Sequence, residues 1–175
     1  MSVAKFEKVS FEQFRKDWID TFQDNPIVEI DETSIRHIYD SIKLPKRGTK
    51  WSAGYDFYSP LKFHLGPGED IKIPTGLRCQ MNNEYFLMIV PRSGLGFKFY
   101  TRLANTCGIV DADYFYANNE GHMFAKIRNE STDKSLFVES GDAVCQGIFL
   151  KYGITDDDDA QELRRGGFGS TDNKQ

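Results

Sequence analysis

What this 175-residue chain has little of narrows its class before any motif is read. Cysteine is scarce: Cys79, Cys107 and Cys145 are odd in number, widely spaced and without a CxxC pair. That excludes a disulfide scaffold and a zinc–thiolate site, and it points to reduced core thiols. The three histidines, His37, His64 and His122, have no metal-binding spacing, so each is expected in a surface or structural role. No apolar run approaches the ~20 residues that cross a bilayer. The N-terminus, where Lys5, Glu7 and Lys8 crowd together, lacks the apolar stretch of a signal peptide, and the expected location is the cytoplasm. A basic excess is also missing: 22 Lys and Arg against 26 Asp and Glu give a net charge of −4, the wrong balance for a nucleic-acid polymer. A nucleotide stays open as a ligand, because a few local Arg side chains, backbone amides and a metal ion suffice to hold a triphosphate.

What is present is enough to fill a core: 39% apolar residues and 14% aromatics, the content of one compact domain. In the first third, Ser10 followed by Gln13 has the form of a capping box, and Phe11, Phe14, Trp18 and Phe22 follow at helical spacing. The pattern predicts an amphipathic helix from about Phe11 to Phe22, its aromatic stripe facing a core. A second helix is expected to begin near Asp31 to Thr33, with Ile35, Ile38, Tyr39 and Ile42 on one face, and to stop before Pro45. From Trp51 onward short apolar or alternating runs are divided by turn residues such as Gly66-Pro67-Gly68, Asn82-Asn83 and Gly141-Asp142. Strands are expected at Ile71 to Pro74, Tyr85 to Val90, Met123 to Ile127, Ser135 to Val138 and Ala143 to Tyr152. The fold class is therefore mainly β, an antiparallel sandwich, barrel or jelly roll. Asp156 to Asp159 reads as a solvated linker, since it lacks the alternating oxygen donors of a calcium loop. The charged, Gly-rich end after it is expected to be mobile when free.

Five short segments carry the polar chemistry: Ala53 to Ser59, Pro91-Arg92-Ser93-Gly94-Leu95-Gly96, Gly108 to Tyr114, Gly141 to Gln146, and Arg164-Arg165-Gly166-Gly167-Phe168-Gly169-Ser170-Thr171. Each has a bland reading. Pro-Arg-Ser-Gly is also a β-turn with a surface Arg, Gly-Asp is also a plain turn, and a Gly-rich terminus is usually only a loose end. Read chemically, Arg92, Ser93 and nearby amides form a turn able to face phosphate oxygens. Asp111, after the apolar pair Ile109 and Val110, is expected as a partly buried carboxylate that can orient a water for attack on phosphorus.

Together and in this order, the five segments resemble the five motifs of the trimeric dUTPase family, over about Leu44 to Asp172. Asn119-Glu120-Gly121-His122-Met123-Phe124 is similar to the branch found in Gram-positive bacteria and their phages. The resemblance implies a jelly-roll subunit over residues 1–163, a C-terminal arm over 164–175, and a homotrimer whose three active sites each draw on all three chains. It implies hydrolysis of dUTP to dUMP and pyrophosphate with Mg²⁺, which keeps uracil out of DNA and supplies dUMP for dTMP synthesis. On the same carry-over Asp111 orients the nucleophilic water and Tyr114 lies against the deoxyribose, excluding a 2′-hydroxyl. Asn105, Ile109 and Val110 belong to the hairpin that reads uracil. Ser93, Gly94 and Gln146 contact the α- and β-phosphates, with Arg92 arranging that site. Phe168 stacks on uracil beside Gly169, while Arg164, Ser170 and Thr171 hold the γ-phosphate. Mg²⁺ is coordinated mainly by the triphosphate and water, with Asp56 in its outer shell.

This chain departs from the pattern in places. Tyr114-Phe115-Tyr116 stands where the family has Tyr-x-Gly, the Arg of the tail is ambiguous between Arg164 and Arg165, and Phe11 to Asp40 is a helical insertion ahead of the first motif. Phe6 to Ser10 corresponds to the first strand of the fold. Two rivals remain. A dCTP deaminase of the same fold needs a glutamate close to position 126, where this chain has Lys126, a side chain that cannot accept a proton as a carboxylate does. A nucleotide-sensing or protein-binding module needs no catalysis at all.

Overall fold

The computed structural model describes residues 2–25, 28, 30–162 and 166. In chain order its elements are β1 (Ala4–Lys8), α1 (Phe11–Phe22), α2 (Glu32–Ser41), β2 (Lys46–Arg47), β3 (Tyr55–Tyr58), β4 (Phe63–Leu65), β5 (Asp70–Pro74), β6 (Leu77–Met81), β7 (Tyr85–Pro91), α3 (Ser93–Phe99), β8 (Arg102–Leu103), β9 (Gly108–Val110), a 3₁₀ turn over Ala112–Tyr116, β10 (Phe124–Arg128), β11 (Leu136–Val138) and β12 (Ala143–Lys151). The fold is mainly β, as expected. Its pairings are antiparallel, in sheets ordered β1-β6, β5-β10-β8, β11-β4 and β2-β3-β12-β7-β9. All five expected strands form. Alternation explains their faces: on β10, Ala125 and Ile127 are buried while Phe124, Lys126 and Arg128 point outward.

The helical insertion is built as its stripe predicts. Phe11, Phe14, Trp18 and Phe22 are all buried, and their rings stack in series, Phe14 to Trp18 at 5.3 Å and Trp18 to Phe22 at 4.8 Å. Full burial of each such side chain contributes about 1.5–3 kcal/mol. These residues belong to the same hydrophobic cluster as Ile73, Leu77, Met123 and Ile127 of the strands, so the helices close the β core. Helix α2 starts at Asp31, whose carboxylate accepts from the Thr33 and Ser34 amides at 3.0 and 3.1 Å.

Three local expectations need correction. The Ser10 capping box is only half internal: Ser10 Oγ accepts from the Gln13 amide at 3.1 Å, but the Gln13 side chain turns away to Asp17 at 2.7 Å. The Ser10 amide instead donates to Glu120 of the distant turn after the 3₁₀ segment. The first strand ends at Lys8 rather than running to Ser10, because Ser10 is committed to capping α1. And Ser93 to Phe99 is a helix, not an isolated turn; Leu95 and Phe99 lie four residues apart on its inner side, packed against the core.

Candidate functional site

The five-stranded sheet gathers four of the five sequence motifs. Strands β3 and β12 pair with Asp56 opposite Gln146, and β12 pairs with β7 so that Gln146 lies opposite Val90. The segment leaving β7 carries Arg92, Ser93 and Gly94, all exposed. Arg92 Nε meets Asp56 Oδ1 at 3.1 Å, and Gln146 Nε2 donates to the Pro91 carbonyl at 3.2 Å. Gln146 also lies across Gly54, where a Cβ would displace its side-chain oxygen from this position. Asp56, Arg92, Gln146 and Ser93 thus form one polar cluster at one end of the sheet.

The third motif sits elsewhere. Strand β9 is the last strand of the sheet, pairing only with β7, so Ile109 faces out at 46% exposure while Val110 is buried. The hairpin between β8 and β9 turns through Thr106 at φ 68°, with the Thr106 amide donating to the Leu103 carbonyl at 2.9 Å. Asn105, at that turn, lines a cavity of about 420 Å³ together with Lys72, Ala104, Asn119, Phe124 and Lys126. Its volume falls in the range of small-molecule sites. Lys126 Nζ pairs with Asp70 at 3.1 Å, so a cation, not a carboxylate, stands at the position the deaminase rival needs.

Asp111 follows Val110 at the N-cap position of the 3₁₀ turn, without a side-chain capping bond; it is exposed in the single chain rather than partly buried, because β9 ends at the sheet's edge. Tyr114 is nearly enclosed at 2% exposure. Its hydroxyl donates to the His122 carbonyl at 2.7 Å and accepts from Asn119 Nδ2 at 2.8 Å. Gly121, at φ 71°, lets the chain close on this segment: a Cβ there would run into the Tyr114 carbonyl and Phe115 backbone.

Register separates the two halves of the site. Val110 lies opposite Leu87, and Asp111 one step beyond, whereas Arg92 lies past the other end of β7. Six residues of extended strand span roughly 20 Å. Of the tail, Arg164, Arg165, Phe168, Gly169, Ser170 and Thr171 lie outside the described residues. Cys79 and Cys145 are core thiols, each pushed up to about 12 by burial, with the Asp56 charge adding to the effect at Cys145. Among the described residues, no group of three or more His, Cys, Asp and Glu gathers to hold a metal ion, and no helix is long and apolar enough to cross a membrane.

Four motifs threaded through one antiparallel sheet, with a cavity beside the hairpin that leads to the third, define the class: a small, mainly β domain with its polar motifs gathered on one sheet. The dUTPase family model matches residues 40–172, and the chain belongs to that family. The deoxyuridine 5′-triphosphate nucleotidohydrolase of Lactococcus lactis is 42% identical over 133 residues, covering 74% of this chain and 88% of the relative. The crystal structure of the Streptococcus mutans dUTPase aligns with a TM-score of 0.57 at 36% identity, over 65% of this chain and 88% of that one. A Staphylococcus bacteriophage 80alpha dUTPase aligns over 93% of this chain and 98% of its own, with a TM-score of 0.61; at 16% identity the likeness is one of fold.

Sequence reasoning missed two residues that brace the turn after the third motif. Glu120 was seen only as part of a branch signature, and Asp17 was not singled out at all. Neither has a local signal, since their partners are over a hundred residues away.

Proposed function

We propose that this chain is a dUTP diphosphatase, hydrolysing dUTP to dUMP and pyrophosphate with a water oriented by Asp111. The observation that carries the reading is the convergence of Asp56, Arg92 and Gln146 on neighbouring strands, beside Ser93 and Gly94, in a chain of the dUTPase family. The ion pair with Asp56 holds the Arg92 guanidinium at this end of the sheet, where its remaining N–H groups can meet phosphate oxygens. Ser93, Gly94 and Gln146 supply neutral donors beside it. Asp111 accepts a proton from the attacking water as the α–β anhydride bond breaks and pyrophosphate leaves. Asn105 and the free edge of β9, with the Ile109 and Val110 backbone, receive the uracil. Tyr114 meets the deoxyribose with its ring edge and leaves no room for a 2′-hydroxyl. Phe168 with Gly169 covers the base, and Arg164, Ser170 and Thr171 take the γ-phosphate.

The donor set fits Mg²⁺ in one way only: held by the triphosphate and water, with Asp56 as an outer acceptor. When bound, the ion neutralises phosphate charge. The separation of roughly 20 Å along β7 between Asp111 and Arg92 supports a site shared between chains, because both must act on one triphosphate. The assembly is a cytoplasmic homotrimer of jelly-roll subunits: motifs one, two and four come from one chain, motif three from a second and the arm from the third. The test is a panel of dNTPs and UTP with pyrophosphate, orthophosphate and ammonia all monitored. Pyrophosphate from dUTP alone is the expected result; ammonia from dCTP or orthophosphate as first product would overturn it.

A further inference from the structure

Helix α1 and its N-cap Ser10 are joined to the turn that follows the third motif by two hydrogen-bonded clamps seven residues apart. The first is at the start of the helix. Ser10 donates through its amide to Glu120 Oε2 at 2.7 Å and through its hydroxyl to Glu120 Oε1 at 2.6 Å. Glu120 therefore closes the capping box that Gln13 leaves open, and its grip holds a non-glycine residue at φ 58°. The second lies two helical turns on. Asp17 Oδ2 meets His122 Nδ1 at 2.5 Å, and Gln13 Nε2 donates to the same oxygen at 2.7 Å. The His122 ring is fully buried, flanked by Phe14 and Phe124. Its other nitrogen, Nε2, accepts the Gly76 amide at 2.8 Å. An accepting Nε2 carries no proton, so the hydrogen-bond network assigns the ring proton to Nδ1, facing Asp17.

Those two clamps fix the short turn from Asn119 to His122, and that turn is what holds Tyr114. The His122 carbonyl accepts from the Tyr114 hydroxyl and Asn119 Nδ2 donates to it, while the Tyr114 amide donates to the Asp111 carbonyl at 3.2 Å. Tyr114 is packed on nearly every side, at 2% exposure, and its hydroxyl is tied to this turn, so where the turn stands decides where the residue stands.

We infer that Asp17, with Ser10, is a positioning residue for the sugar-discriminating Tyr114, acting through His122 and the Asn119–His122 turn. The insertion thereby sets the preference for a 2′-deoxyribose over a ribose. This rests on the reading of Tyr114 as the residue facing the sugar. The chemistry is directional: Asp17 accepts from His122, whose carbonyl in turn fixes the hydroxyl of Tyr114, so removing the acceptor leaves a buried N–H to find another partner and the turn to shift.

The experiment compares kcat and KM for dUTP and UTP in the parent, Asp17→Ala, Asp17→Asn, Tyr114→Phe and the Asp17→Ala/Tyr114→Phe double variant, with thermal unfolding of each. Asp17→Ala is expected to lower the dUTP-to-UTP ratio of kcat/KM by about tenfold, mainly through a weaker KM for dUTP. Asp17→Asn keeps an oxygen acceptor and is expected to restore most of the ratio. Tyr114→Phe, which keeps the ring and cuts the last link, is expected to lose discrimination by itself. The double variant is expected to lose no more than the worse single one, the non-additivity of residues acting in one chain of contacts. Should Asp17→Ala fail to fold, Tyr114→Phe and Asp17→Asn decide the matter. An unchanged ratio in Tyr114→Phe, additive losses, or a fall in thermal stability with discrimination intact would overturn the inference while leaving the diphosphatase reading standing. A parent protein that releases no pyrophosphate from dUTP would overturn both.

Discussion

Asp56 and Arg92 form an ion pair between β3 and the end of β7, with Nε 3.1 Å from Oδ1. Both side chains are part-exposed, at 22% and 44%, so the pair contributes little to stability, within about 1 kcal/mol. Its value lies in aim. Asp56→Ala is expected to leave thermal unfolding within a few degrees of the parent and to reduce kcat/KM for dUTP by roughly tenfold or more. Steady-state pyrophosphate release alongside a melting curve checks both halves, and a stability loss without a kinetic one would assign the pair a structural role.

Asp111→Asn keeps size and hydrogen-bonding capacity at an exposed turn position but removes the proton acceptor. Turnover is expected to fall by roughly 10²–10⁴-fold with nucleotide binding retained. Single-turnover kinetics and a binding isotherm for a non-hydrolysable dUTP analogue measure the two effects, and near-normal turnover would remove Asp111 from the mechanism.

Because Asp111 and Arg92 stand at opposite ends of the β7 register, inactive Asp111→Asn and Arg92→Ala chains are expected to recover part of the activity when refolded together. Mixed assemblies contain some sites that draw both residues from intact copies. A mixture as inactive as its parts would place both residues in one chain's own site.

The Asp17 carboxyl lies below the usual carboxylate range. Burial acts to raise it, but the hydrogen bonds from His122 and then Gln13, with the nearby charge of Lys16, carry it down. A folded-state pKa below the unfolded one contributes stability that is complete above the unfolded value, about 3.9, and is lost as pH falls through the folded one. The stability gap between the parent and Asp17→Asn is therefore expected to be constant near neutrality and to narrow below about pH 4. Denaturant midpoints across that range test the sign. A gap that widens on acidification would contradict it.

Truncation before Arg164 is expected to leave the core melting as in the parent while lowering turnover far more than dUMP affinity, because dUMP has no γ-phosphate for Arg164, Ser170 and Thr171 to hold. Undiminished turnover in the truncated protein would separate the arm from catalysis.

Much of the architecture was legible because its signals are local. The aromatic spacing of Phe11, Phe14, Trp18 and Phe22 marks α1 at its observed bounds, and alternation marks β10 and β12 to within a residue. The site residues were legible as types but not as a geometry. Nothing near Asp56 in sequence says that Arg92 lies beside it, since that contact depends on β12 lying between their two strands. Helix α3 went unread because two glycines, Gly94 and Gly96, weaken the helical signal that Leu95 and Phe99 supply. Asp111 was expected to be more enclosed because two apolar neighbours suggest depth; at the end of an edge strand they bury only Val110.

The Glu120 grip on Ser10 spans 110 residues of sequence. At synthesis rates of about 5–20 residues per second, α1 leaves the ribosome roughly 5–20 s before the residue that completes its N-terminus. A 12-residue helix is marginal in water on its own, and although α2 and β5 follow it out to cover part of its aromatic face, Met123 and Ile127 of the same cluster come only after Glu120. The nascent chain therefore carries Phe11, Phe14, Trp18 and Phe22 without their full cover until β10 has been made. That makes the first third of this protein, rather than its β core, the segment a holdase chaperone would meet.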